Sequence, residues 1–169
     1  MNDPRALPSP GQCLDIPPQP GPERDQKAWL FLNVNKFTAR LMLTLEPVFN
    51  YEMFALWTMR AALETPTEQA TFSRECPEVF VPAAAAWILI LGPQIYQWDK
   101  EFDHGPVVGA PGRGGPLWAG KHGFCVERWS VWRSRFEEMA GSPGVFTAEV
   151  RASAGQAATR MRQVEAGEA

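Results

Sequence analysis

The sequence predicts an all-α fold: a single domain of about five helices, a bundle or orthogonal array, behind a disordered proline-rich N-terminal tail. Three observations carry this. Apolar residues recur every three or four places along five separate stretches, the spacing of one helical face. No stretch alternates apolar and polar residues as a half-buried strand does. Proline and glycine stand between the stretches, where helices start and stop. The expected division is residues 1–24 for the tail and 25–165 for the helical domain. A chain of 169 residues is one domain in size, and its seven Trp and ten Phe are enough to build a core.

The tail holds Pro4, Pro8, Pro10, Pro17, Pro18, Pro20 and Pro22. Proline fixes φ and removes a backbone donor, so this run favours extended, solvated chain. The first helix is expected from Asp25 to about Leu45, with Leu30, Val34, Phe37, Leu41 and Leu45 on its apolar face; Glu46-Pro47 ends it. The second runs from about Asn50, which can cap it, to Glu64, with Met53, Phe54, Trp57 and Ala61 on one side. Residues 67–81 read as mostly loop. Pro82 then suits the first turn of a third helix marked by Ala84, Ile88, Leu91, Ile95, Trp98 and Phe102, which Gly92-Pro93 should kink or split. A loop rich in glycine and proline, Asp103 to about Gly123, is long for a compact domain, and such loops are functional or disordered. The fourth helix, Phe124 to Ala140, buries Cys125, Trp129, Trp132, Phe136 and Met139 and ends at Gly141. The fifth follows Ser142-Pro143-Gly144, is capped by Thr147, and buries Val150, Ala154, Ala157, Met161 and Val164.

Composition excludes several functions. Net charge is −3 and no Lys/Arg cluster exists, which argues against nucleic acid as a partner. The apolar run Val81 to Leu91 is too short to span a bilayer, and Met1-Asn2-Asp3-Pro4-Arg5 opens no secretory signal. Cys13, Cys76 and Cys125 are odd in number and far apart, as in a cytoplasmic protein with reduced thiols. No metal-ligand spacing is present, and nothing predicts a metal or a cofactor.

Three constellations could carry chemistry. Gly115 to Lys121 has the Gly-x-x-x-x-Gly-Lys spacing of a phosphate loop, but His122 stands where Ser or Thr would hold magnesium, Pro116 removes a donor, and no strand precedes it. Read instead as a ligand-binding group, Trp118, Lys121, His122, Arg128, Trp129 and Trp132 mix aromatic and cationic side chains that can stack on a flat or anionic ligand. The same residues also fit plain packing, since Trp129 and Trp132 belong to a helix stripe and Arg133 can pair with Glu137. Finally, Asp99, Glu101, Asp103 and His104 crowd the end of the third helix. There, with Lys121 and His122, Asp103 and His104 are candidate acid–base residues. No hydrolase triad is visible.

The blocks Asn33–Leu43, Ala55–Glu64, Pro82–Tyr96 and Gly115–Phe124, with Glu127-Arg128-Trp129 and Trp132 after them, resemble a family of small fungal proteins of unknown function. The last block carries a W-x-G-K-x-G-F pattern. The resemblance covers about residues 25 to 165 and implies an intracellular helical domain of fungal type; it implies no activity. Gly92-Pro93 and Gly105–Gly115 depart from the pattern. The expected function is a non-catalytic helical module for protein interaction or small-ligand binding, with the Trp118–Gly123 loop and the start of the fourth helix as its contact surface. The alternative is a small accessory enzyme, a cyclase or isomerase, of fungal secondary metabolism. Its partner would be a protein or a small molecule, and an apolar helix face could also pair with a second copy.

Overall fold

The computed structural model describes residues 17, 19–67, 76–105 and 109–168. Most of the proline-rich tail expected at residues 1–24 lies outside the described residues, as does 68–75 of the loop expected before the third helix. Among the described residues there are five α-helices: α1 Pro22–Met42, α2 Glu52–Leu63, α3 Pro77–Gln97, α4 Val126–Ala140 and α5 Ala148–Glu165. A 3₁₀ turn, Pro47–Phe49, joins α1 to α2, and a two-residue antiparallel pair, β1 Lys100–Glu101 and β2 Gly123–Phe124, brackets the long loop. The all-α reading holds.

Several boundaries move, each for a local reason. Pro22 takes the first turn of α1, three residues before the expected start, because a helix N-terminus loses nothing by a missing N–H. Pro77 does the same for α3, so that helix begins five residues before Pro82, which lies in its interior. The helix also runs unbroken through Gly92-Pro93. Pro93 deprives the Leu89 carbonyl of its donor, and Leu89 stands on the exposed side, where water can reach. At its other end α3 stops at Gln97, since Lys100 and Glu101 pair with Phe124 and Gly123. That pairing delays α4 to Val126.

α3 is the central helix, packed by α1, α2 and α5, while α4 packs against α5. By length and composition α3 could cross a bilayer, contrary to the reading of its apolar run as too short; here 67% of that window is buried inside the protein. Trp87, Ile88, Leu91 and Ile95 are all enclosed. The expected faces of α4 and α5 are borne out except at Cys125, which precedes α4 and is only half-buried: Trp129, Trp132, Phe136 and Met139 share a closed core with Val150, Ala154, Ala157 and Met161.

One expected face is partly right and another is wrong. In α2 Ala61 is buried as expected and Met53 and Phe54 pack half-buried against the core, but the fully enclosed side is Ala55, Leu56, Met59, Ala62 and Leu63, with Trp57 only half-buried. In α1 the stripe Leu30, Val34, Phe37 points outward, and the buried side is Phe31, Asn35, Thr38 and Ala39. The reason is polar. Asn35 accepts from the Trp87 indole at 2.6 Å and from Thr58 at 3.1 Å and donates to the Phe31 carbonyl, so it belongs inside. Arg24 anchors the same side by an ion pair with Glu78 of α3 at 2.9 Å.

Candidate functional site

The Gly/Pro-rich segment from residue 109 to 123 is held to the domain by a charge buried where α2 ends. Glu64 has no solvent exposure, nor has Arg128 in the first turn of α4. Their contact is a fork: Nε to Oε1 at 2.7 Å and Nη2 to Oε2 at 3.0 Å. Glu64 also accepts from the Trp132 indole at 2.7 Å and from the Gly115 N–H at 2.7 Å. Its carbonyl takes the Leu117 N–H. Arg128 Nη1 donates to the carbonyls of Gly112 and Gly123, and the guanidinium lies over the rings of Trp118 and Trp132. Every charged atom of the pair has a partner, as burial demands.

Glycine is required where the segment crosses its neighbours. A Cβ on Gly123 would lie 1.9 Å from the Lys100 carbonyl oxygen, and one on Gly112 would lie 2.2 Å from that of His122. The Trp57 indole and Arg60 on α2 add bonds to the Pro111 and Arg113 carbonyls. The segment is thus built into the fold across the end of α2.

The expected ligand-binding residues divide accordingly. Arg128, Trp129 and Trp132 are enclosed, and their polar atoms are spent within the protein, the Trp129 indole on Glu165 at 2.8 Å. Trp118 and Lys121 remain half-buried and line a cleft of about 600 Å³ with Tyr96, Trp98, Asp99, Gly120, Cys125, Val126 and Glu127. Three aromatic side chains wall it. The Lys121 ammonium is ion-paired with Asp99, which holds its pKa above the ordinary lysine value. The Trp118 indole donates to the Lys121 carbonyl, fixing the turn between them. Burial pushes the Cys125 thiol up, against the pull of the Arg128 N–H at the start of α4. A raised pKa keeps that thiol protonated and poorly nucleophilic.

His122 turns the other way, from the strand pair toward Asp103. Its Nδ1 lies 3.0 Å from the Asp103 carboxylate, in a second, shallower cleft with Gly105, Gly109, Ala110 and Arg113. The Gly105 N–H, with the His122 ring adding to it, holds Asp103 below the usual carboxylate range. His104 is exposed and stands outside both clefts. Of the four acid–base candidates, then, Asp103 and His122 meet, Lys121 pairs elsewhere, and His104 joins neither group. No group of three metal-ligating side chains exists among the described residues. The phosphate-loop spacing has no cradle here, because Lys121 is turned to Asp99.

Sequence reading missed Glu64, which looked like an ordinary helix end. A signal existed: a lone acid after the apolar run Ala61-Ala62-Leu63, with Pro66 closing the helix behind it.

The pattern of a family described as "Protein of unknown function (DUF3632)" matches residues 5–136, which takes in α1, α2, α3, the glycine-rich segment and most of α4. The closing helix α5 lies beyond the match. No curated protein and no solved structure matches the chain.

Proposed function

The chain belongs to the DUF3632 family, and from that premise we propose that it is a non-catalytic helical module that binds a small, flat ligand. The ligand would lie in the cleft between the end of α3, the Trp118–Lys121 turn and the start of α4. One observation carries the reading: Tyr96, Trp98 and Trp118 wall a cleft of about 600 Å³ that has an ion pair, Lys121 with Asp99, at its side. Small-molecule sites combine such apolar walls with a few placed polar groups. The closed core agrees with it, since the interior around Trp87, Trp129 and Trp132 is filled with side chains. The reading extends to a cytoplasmic protein of fungal type, supported by the resemblance of the helix and loop blocks and by the separate, odd thiols.

The experiment is a thermal-shift screen of planar metabolites against the full chain. Each hit is repeated on Lys121→Met and on Val126→Trp, which fills the cleft from an exposed position. Hits should lose their shift in Val126→Trp and weaken in Lys121→Met. Hits that keep their full shift in both variants place the ligand elsewhere and defeat the proposal.

A second reading, a small cyclase or isomerase, rests on the Asp103–His122 pair. A carboxylate on Nδ1 leaves Nε2 available as a base, the arrangement acid–base catalysis uses. Turnover of a screened metabolite that is lost in His122→Gln but kept in Val126→Trp would favour it.

A further inference from the structure

α1 buries a mixed face, with Phe31 and Ala39 beside polar groups, and turns an apolar stripe outward. Its inward face carries Asn35 and Thr38, while its outward face carries Leu30, Val34 and Phe37, which are 39%, 46% and 63% exposed. Among the described residues eleven large apolar side chains stand exposed, and seven of them fall between positions 29 and 48. Single exposed apolar residues need no explanation, but a concentration on one helix and its following turn does.

The turn adds a second sign. Leu45 has φ 59, the left-handed region that favours glycine, and is 81% exposed. A branched side chain there is held in an unfavourable backbone and left in water, and Val48 beside it is 79% exposed.

The size fits a particular occupant. With side-chain areas of roughly 150–250 Å² for Phe and somewhat less for Leu and Val, the exposed fractions of Leu30, Val34, Phe37, Leu45 and Val48 leave on the order of 500 Å² of apolar surface. A stable dimer buries about 800 Å² per partner, of which about three-fifths is apolar. The spacing Leu30, Val34, Phe37, Leu41 is four, three, four, the seam along which two helices pair. It is also self-complementary. In an antiparallel pair about an axis between residues 35 and 36, Leu30 meets Leu41 of the second copy, and small Val34 meets large Phe37. Asn33 spends its amide donor on the Trp29 carbonyl at 2.9 Å, and its oxygen is left to face Arg40 of the second copy across the rim.

We propose that the outward face of α1 is a twofold interface with a second copy of this chain, paired antiparallel along Leu30, Val34, Phe37 and Leu41. A twofold contact uses the same patch on both subunits, as this spacing permits.

The test is mass by sedimentation equilibrium on the full chain at about 100 µM. The wild type should run at twice the 18.8 kDa chain mass. Val34→Lys and Phe37→Glu should each run at the single mass with an unchanged far-ultraviolet spectrum, because both positions are exposed in the single chain. Mixed in equal amounts they should return to twice the mass, since the introduced ammonium of one variant meets the introduced carboxylate of the other while the second contact stays apolar. A wild type at the single mass overturns the interface, as does either variant remaining at twice the mass. A mixture that stays at the single mass overturns the antiparallel pairing.

Discussion

Replacing Glu64 with Gln should be the most damaging conservative change in the protein. The substitution keeps size and shape but turns one acceptor oxygen into an NH₂ donor. Placed at Oε2, that donor faces Arg128 Nη2 and the Gly115 N–H; placed at Oε1, it faces Arg128 Nε and the Trp132 indole. Either way two donors lose their acceptor, and the guanidinium charge, with no solvent exposure, loses its counter-ion. Breaking a buried pair by removing one partner costs about 3–5 kcal/mol. For a chain of this size each kcal/mol moves Tm by about 2–4 °C, so the midpoint should fall by roughly 6–20 °C. Urea unfolding followed by circular dichroism and tryptophan emission gives the difference directly. The loss should persist in strong salt, since a fully buried pair is little screened. The control is Glu138→Gln, which removes an exposed partner of Arg135 and should cost under about 1 kcal/mol. If the two variants lose similar stability, or Glu64→Gln loses less than about 1 kcal/mol, the buried fork does not hold the segment and the reasoning fails.

Asn35→Leu should cost about 2–3 kcal/mol, because the Trp87 indole N–H is left unpaired in the core; equilibrium unfolding checks it, and the Trp87 emission should shift as well. Thr147→Ala removes the side-chain cap on the Val150 N–H and should cost about 1 kcal/mol by the same measurement, with α5 fraying first in hydrogen exchange. Glu137 sits between Arg133 and Arg162. Partial burial would raise its carboxyl, but hydrogen bonds from Arg162 and Arg133 outweigh this and hold it below the ordinary 4.5. A carboxyl lowered on folding stabilises the protein above its unfolded pKa and loses that contribution as pH falls through the folded value. Glu137→Gln should therefore cost under about 1 kcal/mol at neutral pH, because the group is part-exposed, and the gap to wild type should narrow as pH falls through the folded carboxyl's lowered value. A gap that widens on acidification would contradict the sign.

Much of this protein was legible before any coordinates. The five helical stretches, the Thr147 cap, the Gly141 stop and the inward faces of α4 and α5 follow from spacing and end residues alone. These are local properties: a helix repeats every 3.6 residues, and its termini need particular caps within one turn. The role of Trp118 and Lys121 as cleft residues was also within reach, because the aromatic and cationic residues lie a few positions apart.

What only the tertiary structure decided depends on residues far apart in the chain. Glu64 and Arg128 are 64 positions apart, and Asn35 and Trp87 are 52 apart. No local pattern says that either pair will meet. The same gap explains the misread face of α1. Periodicity shows that Leu30, Val34 and Phe37 share a side, but the side that turns inward is set by what packs there, and a buried Asn35 with three hydrogen bonds was enough to turn α1 over. Water exclusion rewards burying apolar surface but cannot say against which surface, whereas a buried amide must find its partners inside.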